Sequence, residues 1–337
     1  MRPSLRLAVT TLAALLLAPV LAAAPAGAAD DDPRFTIAVV PDTQTEVTRS
    51  GDTRFAGRTR WLVQRRTVDD LRFVLHTGDV TDWGWAAPGQ LDTARSALGV
   101  LTSAGIPWQV AVGNHDTRYP GWDGRGGYGT RPYVDNPECR ARYGTACTRG
   151  ALLRRTDEID RALPGTFAGR YDAGQIANVH RNFEAGGLRW MVLSLEAWPR
   201  PAVVDWARSV VAAHPRRNII VNTHSYLTAD GRISTSAEYG ATSPAQLWER
   251  LLSRYPNVKL VFSGHTGTAA YRTDRGVAGN LVASFLGAFH SPDRDPVRLV
   301  TIDPVAGSVT SRFHLPSTGG RLSQYDATVT GLAFVRP

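Results

Sequence analysis

Short apolar runs and helix-period segments alternate along most of the chain. Phe35–Val40 is a β-rich run that stops at Pro41. Arg58–Asp70 has helical spacing, with Trp61, Leu62 and Val68 able to share a face. Leu71–Leu75 reads as a strand, Pro88–Ala104 as a helix ending near Gly105, and Trp108–Val112 as a strand ending at Gly113. The order resumes with a strand over Leu188–Leu195, a helix over Ala202–Ala213 and a strand over Asn218–Asn222. A helix over Pro244–Arg254 follows, with Ser243 as its cap, then a strand over Val258–Phe262. Asn280–Phe285, Val297–Ile302 and Ser308–Phe313 look like a β-rich closing sheet. Alternation of this kind predicts α/β layers around buried strands. Residues 117–184, rich in Gly, Arg and Tyr, break the rhythm and read as a long insertion near the site. No shift in composition marks a boundary, so residues 29–337 read as one domain.

Composition adds limits. The chain has 337 residues, 43% hydrophobic and 20% charged, enough for a large core and too apolar for disorder. Of 38 basic residues only Lys259 is a lysine, which fits a GC-rich genome and singles out no nucleic-acid partner. Arg2 and Arg6, the apolar Leu7–Leu21 run and Ala26-Gly27-Ala28 have the three-part layout of a secretory signal peptide, residues 1–28. The apolar run is short for a membrane span, and no second one follows, so the mature chain is expected to be secreted and without a span. Removal of Arg2 and Arg6 takes the formal charge from +8 to +6, which suits an anionic substrate or envelope. Cys139 and Cys147 are the two cysteines, and an oxidising destination favours a disulfide between them.

The polar residues just after the apolar runs carry the chemistry. They are Asp42-Thr43-Gln44, Gly78-Asp79-Val80-Thr81-Asp82, Gly113-Asn114-His115-Asp116, Asn222-Thr223-His224 and Gly264-His265-Thr266-Gly267. In an open α/β sheet the carboxyl ends of the strands form the ligand crevice, so these loops are expected to converge. Asp, Asn and His together suit divalent cations of the manganese, iron, zinc or cobalt class. A carboxylate can bridge two such ions.

On these motifs the sequence resembles the calcineurin-like metallophosphoesterase superfamily, over roughly residues 35–315, and looks like a secreted bacterial branch of it. The resemblance implies a four-layer αββα sandwich of two mixed β-sheets. It also implies hydrolysis of a phosphomonoester or phosphodiester, small or polymeric, by metal-bound hydroxide. Asp42 would hold the first metal, Asp79 would bridge, and Asn114, His224 and His265 would hold the second. His115 would protonate the leaving oxygen, and Asp82 would orient it. Asp116 would cap the turn after it.

The pattern departs from the family twice. Gln44 and Gly267 stand where the family has histidines of the first metal site, leaving there Asp42, Asp79 and the carbonyl oxygen of Gln44. One ion, or two with a weak first site, are both compatible with that set, as is a catalytically impaired phosphate- or envelope-polymer-binding protein. A histidine at 267 would restore the site unless Gly267 has positive φ. Glu46 compensates only if its loop folds inward. His290 follows the apolar Phe285–Phe289 run and is a candidate for touching substrate. His76, His180, His214 and His314 read as structural, and Trp83, Trp85 and Trp122 as pocket-rim or packing residues. Arginines between Thr117 and Arg181 are candidates for gripping further anionic groups. The oligomeric state is not legible.

Overall fold

The computed structural model describes residues 32–120, 133–291 and 293–337; the leader segment, Trp122 and the arginines at 125 and 131 lie outside them. Two mixed sheets stack face to face. In the first, the order is Gly320–Arg321, Ser308–Leu315, Val297–Asp303, Phe35–Val40, Leu71–His76, Trp108–Val110, with Ala327–Val329 also pairing Ser308–Leu315. In the second it is Gly169–Arg170, Val179–Ala185, Leu188–Leu195, Asn218–Thr223, Val258–Ser263, Leu281–Gly287, Ala269–Arg275. The central strands of each sheet run parallel: Phe35–Val40 with Leu71–His76 and Trp108–Val110, and Leu188–Leu195 with Asn218–Thr223, Val258–Ser263 and Leu281–Gly287.

Residues of the central strands are buried on both faces, which is why those strands read as continuous apolar runs. Alternation then sorts them into layers. Ile37, Val39, Phe73 and Leu75 face Trp190, Val192, Ile220, Leu260 and Phe262 between the sheets. Ala38, Val40 and Val74 turn the other way, onto Phe55, Leu62, Leu91, Ala94, Leu98 and Leu101 of helices Arg54–Arg65 and Pro88–Ser103. On the far side, Met191, Leu193, Val221 and Val261 pack on Val203, Val204, Ala207 and Val211 of helix Pro201–Ala213 and on Leu247, Leu251 and Leu252. Three apolar seams between four layers give the expected αββα sandwich. Ser243 caps its helix through a reciprocal pair with Gln246.

Three expectations need correction. The first helix spans Arg54–Arg65, earlier than its apolar spacing suggested, because the Asp52 carboxylate accepts the Arg54 amide and the chain turns after Arg66; Val68 is exposed. The segment at 117–184 is not wholly an insertion. Its last strand, Val179–Ala185, joins the second sheet by a two-residue turn at Gly186-Gly187, where φ is +58° and +69°. Ala269–Arg275, left without an assignment by the sequence pattern, pairs antiparallel with Leu281–Gly287. Cys139 and Cys147 are bonded and sit with Tyr119, Tyr133 and Leu152 in a small core of their own. Closing so short a loop contributes about 2–3 kcal/mol in the chain-entropy account.

Candidate metal centre

The motif loops meet where the carboxyl ends of the parallel strands of both sheets converge. Asp42, Asp79 and Asn114 come from the first sheet and His224 and His265 from the second. All but His265 are essentially buried. Ligand atoms of Asp79, His224 and His265 lie within 4.8 Å of one another, and so do those of Asp42, Asp79 and His290. Asp79 belongs to both sets. That is the geometry of a bridging carboxylate between two cation sites.

Each side chain is held by the loop of another. Asp42 accepts from Thr77 Oγ1 at 3.2 Å, the His265 amide at 2.9 Å and His290 Nε2 at 2.7 Å. Asp79 accepts the His115 amide at 2.9 Å and lies 3.1 Å from His224 Nε2. His224 Nδ1 meets the Thr77 carbonyl at 2.9 Å, which leaves Nε2 for Asp79 and for Asn114 Oδ1 at 3.2 Å. A backbone partner of this kind fixes the tautomer of a metal-binding imidazole. His265 Nε2 is 3.0 Å from Glu238 Oε2, a carboxylate no sequence motif announced, and Trp198 packs edge-on against its ring.

The motif glycines have a steric reason. A Cβ on Gly113 would lie 2.1 Å from Asp79 Oδ1, and one on Gly264 would lie 2.0 Å from Asp42 Oδ1. The carboxylates occupy the space a side chain would take. Strain gathers at the same place. Asp79, Trp198, Glu238, His265 and Phe289 all have positive φ, although none is glycine.

Electrostatics follow from burial. Asp79 is fully buried, which opposes its charge, yet His224, His115 and His265 hold it well below the usual carboxylate range. Burial likewise opposes charge on His224, but Asp79 raises it to about 10. A cation at that position competes with this proton. Gln44 Oε1 is buried without a hydrogen-bond partner among the described residues, an acceptor two positions from Asp42. Two carboxylates, imidazoles, two neutral amide oxygens and glycine cradles fit a pair of borderline divalent cations.

His115 stands beside this set. Its Nδ1 is 2.7 Å from Asp82 Oδ1 and 2.9 Å from the Asp82 carbonyl, so Nε2 is the ring atom left for proton transfer. Burial opposes its charge, but Asp79 and then Asp82 outweigh that and raise it to about 9. Gln90 Oε1 anchors the Asp82 turn by accepting the amides of Asp82 and Trp83, each at 3.0 Å. Asp116, expected to cap the turn after it, instead reaches back and across to other loops. It accepts from Gly113 N at 3.0 Å and Thr81 N at 2.9 Å, tying two motif loops together, and burial pushes it up to about 7. The pairing of His115 with Asp82 has a measurable sign. A general acid must be protonated, so turnover falls as pH rises through the His115 pKa. Asp82→Asn removes a carboxylate that raises this pKa and is expected to move the alkaline limb of the kcat profile to lower pH. An unmoved limb would assign that titration to another group.

Other candidates resolve differently. Glu46 neither ligates nor lies in solvent; it is buried against Arg58, whose Nη1 also donates to Pro296 O at 2.8 Å. His76 is neutral, driven down to about 3 by burial, Arg58 and His224, and bridges Thr43 Oγ1 and the Gly78 amide. His214 ends its helix with Nδ1 2.8 Å from the Val210 carbonyl. His180 and His314 lie in strands, and Trp85 packs on Tyr133. Arg118 is committed to Glu158 and Tyr143, and Arg181 to the carbonyls of Thr166 and Trp108, so neither reaches the centre. A cavity of about 680 Å³ lined by Ile106, Trp108, Leu163 and Phe167 sits at the amino end of its strand, away from the ligands. His290, a candidate for touching substrate, does reach the centre: its Nε2 stands against Asp42, with Asp79 close by.

The profile of the family described as "Calcineurin-like phosphoesterase" matches residues 35–268. The "Uncharacterized protein YvnB" of Bacillus subtilis (strain 168) is 25% identical over 220 residues, 65% of this chain and 14% of that protein. The chain thus spans about one seventh of that relative's length. Among solved structures, a dimetal phosphatase from Danio rerio superposes with a TM-score of 0.52 at 13% identity, covering 89% of this chain and 99% of the other. Purple acid phosphatase PPD1 from yellow lupin (Lupinus luteus) seeds gives 0.53 at 12% identity, over 88% of this chain and 54% of that one. These two likenesses speak for the shared fold.

Proposed function

Because the chain belongs to the calcineurin-like phosphoesterase family, we propose that it is an exported, metal-dependent phosphoric ester hydrolase. The observation that carries this reading is the pair of ligand sets sharing Asp79, with the His115–Asp82 pair beside them. A bound pair of divalent cations supplies charge neutralisation at phosphorus and activation of water. The chain's own residues do the rest. Asp42, Asp79, Asn114, His224 and His265 orient the centre, with Gln44 Oε1 as a further neutral donor. His115 holds a proton on Nε2 for the leaving oxygen, and Asp82 fixes its tautomer and angle. Burial of Asp79 and His224 keeps bulk water from screening these charges.

Export rests on the leader composition of residues 1–28 and on the Cys139–Cys147 bond, which suits an oxidising compartment. The same leader supports a secreted bacterial branch. Buried Trp198, with Tyr239 and Tyr119 stacked at 4.3 Å beyond it, gives the side near His265 an aromatic wall. Turnover of chromogenic phosphomonoester and phosphodiester substrates in added manganese tests the reading. Hydrolysis abolished by chelator is expected. Tight phosphate binding without hydrolysis would instead support an impaired binding protein on this scaffold.

A further inference from the structure

Two residues of the first cation set that the family supplies as histidines are absent here, and the structure closes one route to recovering them. Gly267 has φ +66°, and a Cβ there would lie 2.6 Å from Ala229 Cβ and 3.0 Å from Ala229 Cα. No side chain fits, so the expectation that a histidine at 267 strengthens the site is withdrawn. The imidazole comes from elsewhere. We infer that His290, beyond the segment that matches the family, is a ligand of the first cation, taking the place that Gly267 cannot fill; this rests on the metal-dependent reading above.

Three observations support it. His290 Nε2 is 2.7 Å from Asp42 Oδ2, and its ligand atom lies within 4.8 Å of those of both Asp42 and Asp79. The residue leaves the carboxyl end of Leu281–Gly287, which runs parallel to Val258–Ser263, so it belongs to the same row of strand ends as His224 and His265. Its loop is fixed. Phe289, with φ +58°, is wedged against Phe313 and Tyr325 at 4.8 and 5.7 Å, and the Ser291 carbonyl accepts from Thr45 Oγ1 and Arg54 Nη1, both at 3.4 Å. Those two donors lie on and beside the turn that follows Asp42. A cation between Asp42 and His290 replaces the Nε2 proton, which goes to solvent. The His290 side chain is 37% exposed whereas His224 is fully buried, so the first ion is reached from solvent through its own ligand.

The test uses zinc alone on the full chain. Anomalous scattering from zinc-soaked wild-type crystals is expected to show two peaks, one about 2.0–2.1 Å from His290 Nε2. His290→Ala is expected to retain one zinc per chain by mass spectrometry, at Asp79, His224 and His265. Two zinc ions in His290→Ala, or a first peak outside bonding distance of Nε2, would overturn the assignment and leave the hydrolase reading standing. A wild type that takes up no zinc defeats both.

Discussion

His115→Ala is expected to keep both ions and to lose roughly 10²–10⁴-fold in kcat, the usual contribution of a positioned general acid. The His115 backbone amide donates to Asp79, and alanine retains that amide, so the bridging carboxylate keeps this anchor. The imidazole is tied to Asp82 and offers Nε2 to the crevice. Two controls separate the acid from a ligand. Metal content should match wild type, and esters with very acidic leaving groups should be spared most of the loss, because they depart without a proton. Loss of an ion in the variant would make His115 part of the cation site.

Gly264→Ala is expected to do comparable damage through one methyl group. Its Cβ would fall 2.0 Å from Asp42 Oδ1, and Thr77 Oγ1 is 2.9 Å away on the same side. Either the Gly264-His265 turn or Asp42 must move. Both belong to the centre, since the His265 amide donates to Asp42 Oδ2. A displacement near 1 Å at a catalytic group costs on the order of 10²-fold in rate. Overpacking adds about 1–3 kcal/mol of instability. Chelator-sensitive turnover and metal stoichiometry, measured below the variant's melting point, read the two effects apart. Near-wild-type activity with two ions bound would show that the loop gives way without disturbing Asp42.

The strand ends were legible because a parallel strand buried on both faces is a short apolar run, and the polar residue after it stands out. Asp42, Asp79, Asn114, His115, His224 and His265 all follow such runs, and the structure brings them together. His290 follows one as well. It reads only as a candidate for touching substrate, and not as a ligand, because Asn280–Phe285 reads as part of a β-rich closing sheet; the parallel pairing of Leu281–Gly287 with Val258–Ser263 is long-range and periodicity does not encode it. The Gly186-Gly187 turn was a readable hairpin signal, hidden inside a segment treated as insertion. Glu46–Arg58 and Glu238–His265 had no local signature. Each depends on which loops face each other once the sheets have stacked.

The ligands are divided between two sheets and scattered from Asp42 to His290, with no two of the first set adjacent in sequence. An unfolded polypeptide therefore presents isolated donors with little power to select one ion over another. Selection begins only when the sandwich has closed. On the proposed export, the identity of its ions would then be decided by the medium in which the chain folds and not by the metal pool where it is synthesised. Refolding the denatured chain in manganese or in zinc should give protein loaded with whichever ion was present, and an identical metal content from mixed pools of different ratio would show that the closed centre discriminates by itself.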